Sequence, residues 1–196
     1  MKGKLLIFSF IILTFISFKP VATETFVVDT KSSTIEWVAG KVGGSHQGTI
    51  KLASGNLLFE GGNLKSGDFD MNMNSMIITD LKGSSNANLL KHLKGEDFFS
   101  VVKHPISSFK ITSVSAISTD RVNITGNLTI KGITTSISFP ATIKTSKKVV
   151  VAVAKKVMID RTQYDIKYRS KTIFGDIGDK AIDDEFELNI NLVAKK

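Results

Sequence analysis

Cysteine is absent from the 196 residues, which excludes disulfide staples, thiol nucleophiles and zinc-thiolate centres and leaves stability to the core. Tryptophan occurs once and tyrosine twice, against thirteen phenylalanines. The large aromatic side chains therefore carry almost no polar handle, which favours a dry core or a dry pocket. Histidine is scarce as well: His46, His92 and His104 lie too far apart for the i, i+4 pair of a helical metal or acid-base site. No Gly-x-Ser-x-Gly elbow occurs. No catalytic residue, metal site or cofactor is expected.

The length, with 42% hydrophobic and 22% charged residues, suits one globular domain. Its start stands apart. Lys2 and Lys4 precede an apolar run, Leu5 to Phe18, broken only by Ser9, Thr14 and Ser17. This predicts a secretory signal peptide over residues 1–22, a mature domain over 23–196, and a periplasmic or secreted location. Without Lys2, Lys4 and Lys19, the 26 basic residues become 23 against 18 acidic ones, a charge of about +5. The remaining lysines fall in scattered pairs (Lys147 and Lys148, Lys155 and Lys156, Lys195 and Lys196) without interleaved aromatics or clustered arginines. No nucleic-acid partner is expected.

From residue 34 onward the apolar side chains recur at every second position, the mark of strands with one wet and one dry face. Val122, Ile124, Leu128 and Ile130 alternate with Asn123, Thr125, Asn127 and Thr129. After Lys131-Gly132, a tight turn, the pattern resumes with Ile133, Ile137, Phe139, Ala141 and Ile143, which reads as a hairpin. The alternation also marks Ile35 to Ala39, Phe69 to Ile77 and Phe186 to Leu192, with shorter apolar stretches at Ser45 to Leu52, Leu57 to Phe59, Phe109 to Ile117 and Val149 to Ile159. Turn chemistry at Ser54-Gly55-Asn56, Gly61-Gly62, Thr119-Asp120 and Ser146-Lys147 separates them. About eight or nine strands result. One segment breaks the period: Ser84 or Ser85 can cap a helix over 85–94, Leu89, Leu90 and Leu93 share its face, and Gly95 supplies the stop. One-sided strands in succession need closure to bury their apolar face. The pattern predicts an all-β, lipocalin-like antiparallel β-barrel of about eight strands with one short helix covering an end; a sandwich satisfies the same alternation.

Three stretches together resemble the YceI-like family of polyisoprenoid-binding periplasmic proteins. The first runs Leu89-Leu90-Lys91-His92-Leu93-Lys94-Gly95-Glu96-Asp97-Phe98-Phe99, through Lys103-His104-Pro105 to Ser108-Phe109-Lys110. The second is Ile124-Thr125-Gly126-Asn127-Leu128-Thr129-Ile130-Lys131-Gly132-Ile133-Thr134, and the third is Ile159-Asp160-Arg161-Thr162-Gln163-Tyr164. The resemblance covers nearly the whole of 23–196 and implies a lipocalin-like barrel, closed at one end and helix-covered near the other, with a tunnel for a prenyl chain. Leu90 departs from the pattern, standing where many members have an acid. Lys171 to Asp184 has no counterpart in it.

An apolar barrel interior binds by removing hydrocarbon from water, about 0.8 kcal/mol per buried CH2, so a long chain gains affinity without an exact polar contact. The inward parity places Trp37, Phe69, Met71, Met73, Ile77, Phe109, Ile111, Leu128, Ile130, Ile137, Phe139, Phe186 and Leu188 on the ligand-binding wall. Leu89, His92, Leu93, Asp97 and Arg161 are placed at the lid or mouth, with His92 hydrogen-bonded to Asp97 and with Asp160 and Arg161 forming a structural turn pair. The expected function is binding, carriage or sequestration of an isoprenoid-type lipid, a polyprenyl chain or prenyl-quinone, by a protein that is not an enzyme. A transient membrane contact for lipid exchange goes with it. The oligomeric state stays open, a dimer included. Two other readings remain: a packed barrel acting as a structural or stress-response interaction protein, and a hydrolase or isomerase acting on a bound lipid.

Overall fold

The computed structural model describes residues 21–175 and 177–196; the expected leader, apart from its last two positions, lies outside the described residues. Nine strands follow one another: β1 (Thr23–Val28), β2 (Thr34–Lys41), β3 (Gly44–Glu60), β4 (Asn63–Ile78), β5 (Ile106–Ala116), β6 (Arg121–Ile130), β7 (Ile133–Thr145), β8 (Val149–Asp160) and β9 (Ile182–Lys195). A helix, α1 (Gly83–Lys94), joins β4 to β5, and a 3-10 turn (Arg161–Tyr164) and the short α2 (Lys171–Phe174) lie between β8 and β9. All pairings between named strands are antiparallel, in the order β1-β3-β2-β9-β8-β7-β6-β5-β4, and β3 also pairs β4. That last pairing closes the sheet. The fold is an eight-strand barrel with one extra strand, which decides against a sandwich.

The extra strand is explained by register. β2 pairs β3 from Ile50 to Gly44 and β9 from Asn191 to Ile182, whereas β1 pairs β3 at Glu60 to Asn56 and β9 at Lys195 and Ala194. β1 and β2 thus lie end to end in one position of the ring. The interruption between them is an Asx turn. Asp29 accepts from the backbone N–H of Lys31 and Ser32, and Lys195 donates to its other oxygen at 2.5 Å.

Two-residue turns close the hairpins tightly. Gly61-Gly62 (φ 58° and 83°) and Lys131-Gly132 (φ 51° and 76°) have positive φ at both positions, as a type I′ turn requires. By contrast, Ser54-Gly55-Asn56 is not the turn its composition predicts but lies inside the 17-residue β3. A Cβ at Gly55 would stand 2.8 Å from the Phe69 ring and 2.9 Å from Val28, so the glycine serves close packing inside a strand. The helix also departs from expectation in its start. It begins at Gly83 after Lys82, without a side-chain cap, rather than at Ser84 or Ser85.

The two ends of the barrel differ. One carries the β3–β4, β5–β6 and β7–β8 hairpins with β1. The other carries α1 and the Gly95–Pro105 segment, the β2–β3 and β6–β7 hairpins and everything between β8 and β9. The second end is called the mouth.

Candidate functional site

The inward parity of the strands encloses a cavity of about 200 Å3. That exceeds by an order of magnitude the ~10–15 Å3 one water requires, so the barrel is hollow. The wall runs along β4 from Leu64 to Met76, roughly 40 Å of strand at ~3.3 Å per residue. Leu57 and Leu192 line its deep end and Leu93, Phe98 and Phe99 its mouth end. Among the lining residues, Ser107, Arg161 and Asp183 are the only polar ones, and the Ser107 hydroxyl is turned onto the Met73 sulfur at 3.1 Å. The lining is almost wholly apolar, suited to hydrocarbon.

Trp37, Phe69, Met71, Met73, Phe109, Ile111, Leu128, Ile130, Ile137, Phe139, Phe186 and Leu188 all line this cavity. Ile77 does not. It is half exposed (49%), while its neighbours Met76 and Ile78 point inward. The reason is a bulge in β4, between the pairs Asn72 with Lys51 and Ile77 with Thr49. The Asn72 side chain accepts from the Asn74 N–H, and Ser75 donates to the Asn72 carbonyl while accepting from the Lys51 N–H. This local turn inserts three more residues on β4 than on β3, an odd number, and so reverses the parity beyond it. Asn72 and Ser75 were the available signal, since short polar side chains bond their own backbone.

Phe69 and Phe109 stack across β4 and β5 with ring centroids 6.4 Å apart, and Phe109 meets Phe139 at 5.6 Å. Space for these rings is made by Gly126, where a Cβ would lie 2.4 Å from Phe109. The Trp37 indole packs over Gly48 in the same manner, at 2.5 Å from a built Cβ, and its buried N–H has no partner among the described residues.

At the mouth, Leu89, Leu90 and Leu93 of α1 pack against the core, with Leu93 reaching the cavity. His92 does not bond Asp97. Its ring stands edge-on to Phe98 at 4.9 Å and Tyr168 at 4.7 Å, and Asp97 is exposed on the turn after the helix. The helix ends at Gly95, so the next residues leave its face, and the aromatic pair takes the imidazole instead. Phe98, which lines the cavity, is thus backed by the rings of Tyr168 and His92.

Asp160 and Arg161 are structural, each through different partners. Asp160 accepts from the Thr162 N–H and hydroxyl, capping the 3-10 turn. Arg161, buried, donates to the carbonyls of Asp183 (2.9 Å), Ile166 (2.7 Å) and Ile182 (3.0 Å) and pairs with Asp184. It rivets the segment after β8 to the start of β9. Burial lowers the Arg161 pKa, against the pull of Asp184, Asp160 and Asp183. For Asp184, burial raises the pKa, but Ser170, Thr172 and Arg161 together hold it below the ordinary carboxylate value.

His46, on β3, bonds Asp80 at 2.8 Å, and His104 packs beside Gly132. The three histidines stay apart. Among the described residues no group of three or more His, Asp or Glu is placed to hold a metal ion, and no helix is long and apolar enough to cross a membrane.

The family model described as "YceI-like domain" matches residues 26–194. A UPF0312 protein of Azotobacter vinelandii is 30% identical over 87 residues, 44% of this chain and 43% of the relative. The chain spans about half the length of the curated relatives it matches. Among solved structures, Burkholderia cenocepacia BcnA superposes with a TM-score of 0.69 at 18% identity, covering 85% of this chain and 99% of that one. A polyisoprenoid binding domain from Saccharophagus degradans, implicated in plant cell wall breakdown, superposes with a TM-score of 0.65 at 12% identity, covering 87% and 97%. At these identities the likeness establishes the fold.

Proposed function

This chain belongs to the YceI-like domain family, and from that premise we propose that it binds a long isoprenoid-type lipid in its barrel and carries or sequesters it. The observation that supports this is the hollow, carbon-lined interior of about 200 Å3. Each CH2 moved from water into such a space contributes about 0.8 kcal/mol, and Met71, Met73 and Met76 give a wall that repacks around chains of differing shape. A barrel serving only as a scaffold has no reason to keep this volume, because an empty apolar cavity destabilises. The polyisoprenoid named for the Saccharophagus degradans domain makes a prenyl chain the first ligand to test. The role is binding rather than catalysis.

The test is extraction. Protein purified from its native host and extracted with organic solvent is expected to yield a stoichiometric prenyl lipid by mass spectrometry. No lipid, together with no quenching of Trp37 fluorescence on adding a prenyl-quinone, overturns the proposal. Export belongs to the same reading and rests on residues 1–22. It is checked by sequencing the N-terminus of protein from the periplasm, expected near residue 23.

Lipid exchange calls for a meeting with a bilayer. At the mouth, Ile173 and Phe174 of α2 are exposed beside Lys171, and exposed Val42 of the β2–β3 hairpin bonds Ala181 in the same region. Apolar tips among lysines suit a surface of anionic lipid. Phe174→Ser is expected to lower association with vesicles containing phosphatidylglycerol while leaving prenyl-quinone binding unchanged; equal association of the two proteins refutes the contact.

A further inference from the structure

Lysines that lie in scattered pairs along the sequence are drawn together by the β7–β8 hairpin. From Ala141 to Lys156 the chain has five lysines and no acidic residue. Lys144 pairs with Val151 in the ladder, and the Ser146 N–H bonds the Val149 carbonyl, which leaves Lys147 and Lys148 at the tip. Arg121 joins them from β6, because its partner across the ladder is Thr142. Arg121, Lys144 and Lys155 line one groove on the outside of the barrel. These five residues, Arg121, Lys144, Lys147, Lys148 and Lys155, are all exposed.

Their charge is not spent locally. None of the five has an ion pair among the described residues, whereas at the mouth Lys103 is paired with Glu96, Lys167 with Asp165 and Arg161 with Asp184. Glu24 and Asp29, on β1 and the turn that follows it, are taken by Lys196 and Lys195. Asp120, whose carbonyl accepts from the Ile143 N–H, is the acid that adjoins the face. With Asp120 counted in, the face carries about four of the five net positive charges of residues 23–196.

The face reaches to the end opposite the mouth, where the β5–β6 and β7–β8 hairpins turn. Ile117, half exposed, donates its N–H to the Arg121 carbonyl, so an apolar tip stands beside the cations. The chain also enters the barrel at this end. The Ala22 carbonyl accepts from the Gly61 N–H of the β3–β4 turn, and Ala22 follows the apolar run that ends at Phe18 by four residues.

We infer that this face docks on an anionic bilayer, with the mouth turned away from it. Four lysines and one arginine with no aromatic ring among them lack the anchors that protein interfaces concentrate, and lysine is depleted in such interfaces. An array of separate point charges suits lipid phosphates instead, since each cation near an anionic surface adds to the attraction. Ile117 enters the interfacial layer beside them. The expected leader, while attached, brings this same end to the membrane. The contact at Phe174 belongs to the other end and is apolar where this one is electrostatic. The inference does not depend on what the cavity binds.

Flotation with phospholipid vesicles tests it, on protein purified from the periplasm and carrying Phe174→Ser, which removes the contact at the mouth. This protein is expected to bind vesicles of phosphatidylglycerol and phosphatidylcholine in equal parts and not phosphatidylcholine alone. Binding should disappear as salt rises from about 0.01 to 1 M and the screening length falls from about 30 to 3 Å. Glutamine at all five positions (R121Q, K144Q, K147Q, K148Q, K155Q) is expected to weaken it about tenfold or more, whereas arginine at the four lysines (K144R, K147R, K148R, K155R) keeps it. An unchanged melting temperature verifies each fold. Because the chain has no cysteine, an environment-sensitive dye on Thr119→Cys reports this end alone and one on Ser85→Cys reports the mouth. Emission is expected to rise at position 119 and not at 85. Equal vesicle binding by the parent and the glutamine protein overturns the site, and a rise at 85 instead of 119 overturns the orientation. Soluble polyglutamate bound as tightly as the vesicles, charge for charge, makes this a face for acidic polypeptide and overturns the bilayer assignment.

Discussion

β7 has two edges, and they behave differently. Toward β6 it carries ten successive pairs, closed by a type I′ turn. Toward β8 it carries four, and then a gap whose mouth end is covered by the Arg161–Tyr164 turn packed against β7. The same residues supply both edges, so side-chain propensity does not explain the contrast. The difference comes from where one backbone donor is missing and from what replaces the lost pairing. On the β6 side the ladder itself is the wall. On the β8 side, a buried arginine and a buried tyrosine stand in for it.

The strongest way to break this contrast is to remove the substitute. Arg161→Leu leaves the carbonyls of Ile166, Ile182 and Asp183 without their donor, and loss of one side of a buried charged network costs about 3 to 5 kcal/mol. Denaturant unfolding is expected to show that loss, and hydrogen exchange to show β9 opening first near Ile182. A change under about 1 kcal/mol would mean that the turn is held by something else. Damage to the paired edge follows in size. Gly126→Val puts a side chain into the Phe109 ring and is expected to cost about 2 to 3 kcal/mol through overpacking, while reducing prenyl-quinone affinity because the Phe69–Phe109–Phe139 wall must shift.

Pro140→Val sharpens the comparison from the other side. Two residues on from the last pair, Thr142 with Val153, Pro140 has no N–H to donate toward Lys155; the valine restores it, and one recovered backbone bond is expected to add about 1 kcal/mol, a rise of roughly 2–4 °C in melting temperature for a chain of this size. A variant no more stable than the parent would show that Pro140 is not what ends the ladder.

The smallest effect is set by pH. Folding lowers the pKa values of Asp184, beside Arg161, and of Asp80, beside His46. Carboxylates of this kind contribute stability that is present above their unfolded pKa, near 4, and is lost as pH falls through the lower folded value. Stability is therefore expected to be flat from about pH 7 to 5 with respect to these two groups and to decline below about pH 4. Asp184→Asn should flatten that acid limb at the mouth, read by urea midpoints across the range.

Much of this architecture was legible in the chain. The two-residue alternation placed twelve of the thirteen proposed wall residues on the cavity, because a pleated strand leaves no freedom in which side a residue faces. The legibility failed where the backbone departed from the pleat. Ile77 was lost to the bulge made by Asn72 and Ser75, and Ser54-Gly55-Asn56 was misread because a glycine that accommodates a ring looks the same as a glycine that turns. β1 escaped notice since its six residues make sense only beside Leu57 and Phe59. Pro140 was visible in the sequence as a non-donor, yet only the register shows which neighbour is denied the bond.

The sequence by itself determined the class of fold, the dry face of each strand and the position of the covering helix, all of which follow from local periodicity and turn stereochemistry. Closure by β3 on β4, the hollow rather than packed interior, the partners of Arg161 and His92, and the end of the β7–β8 ladder at Thr142 and Val153 were decided only in three dimensions. Those features depend on register and on volumes between distant strands, and neither is encoded in any one segment.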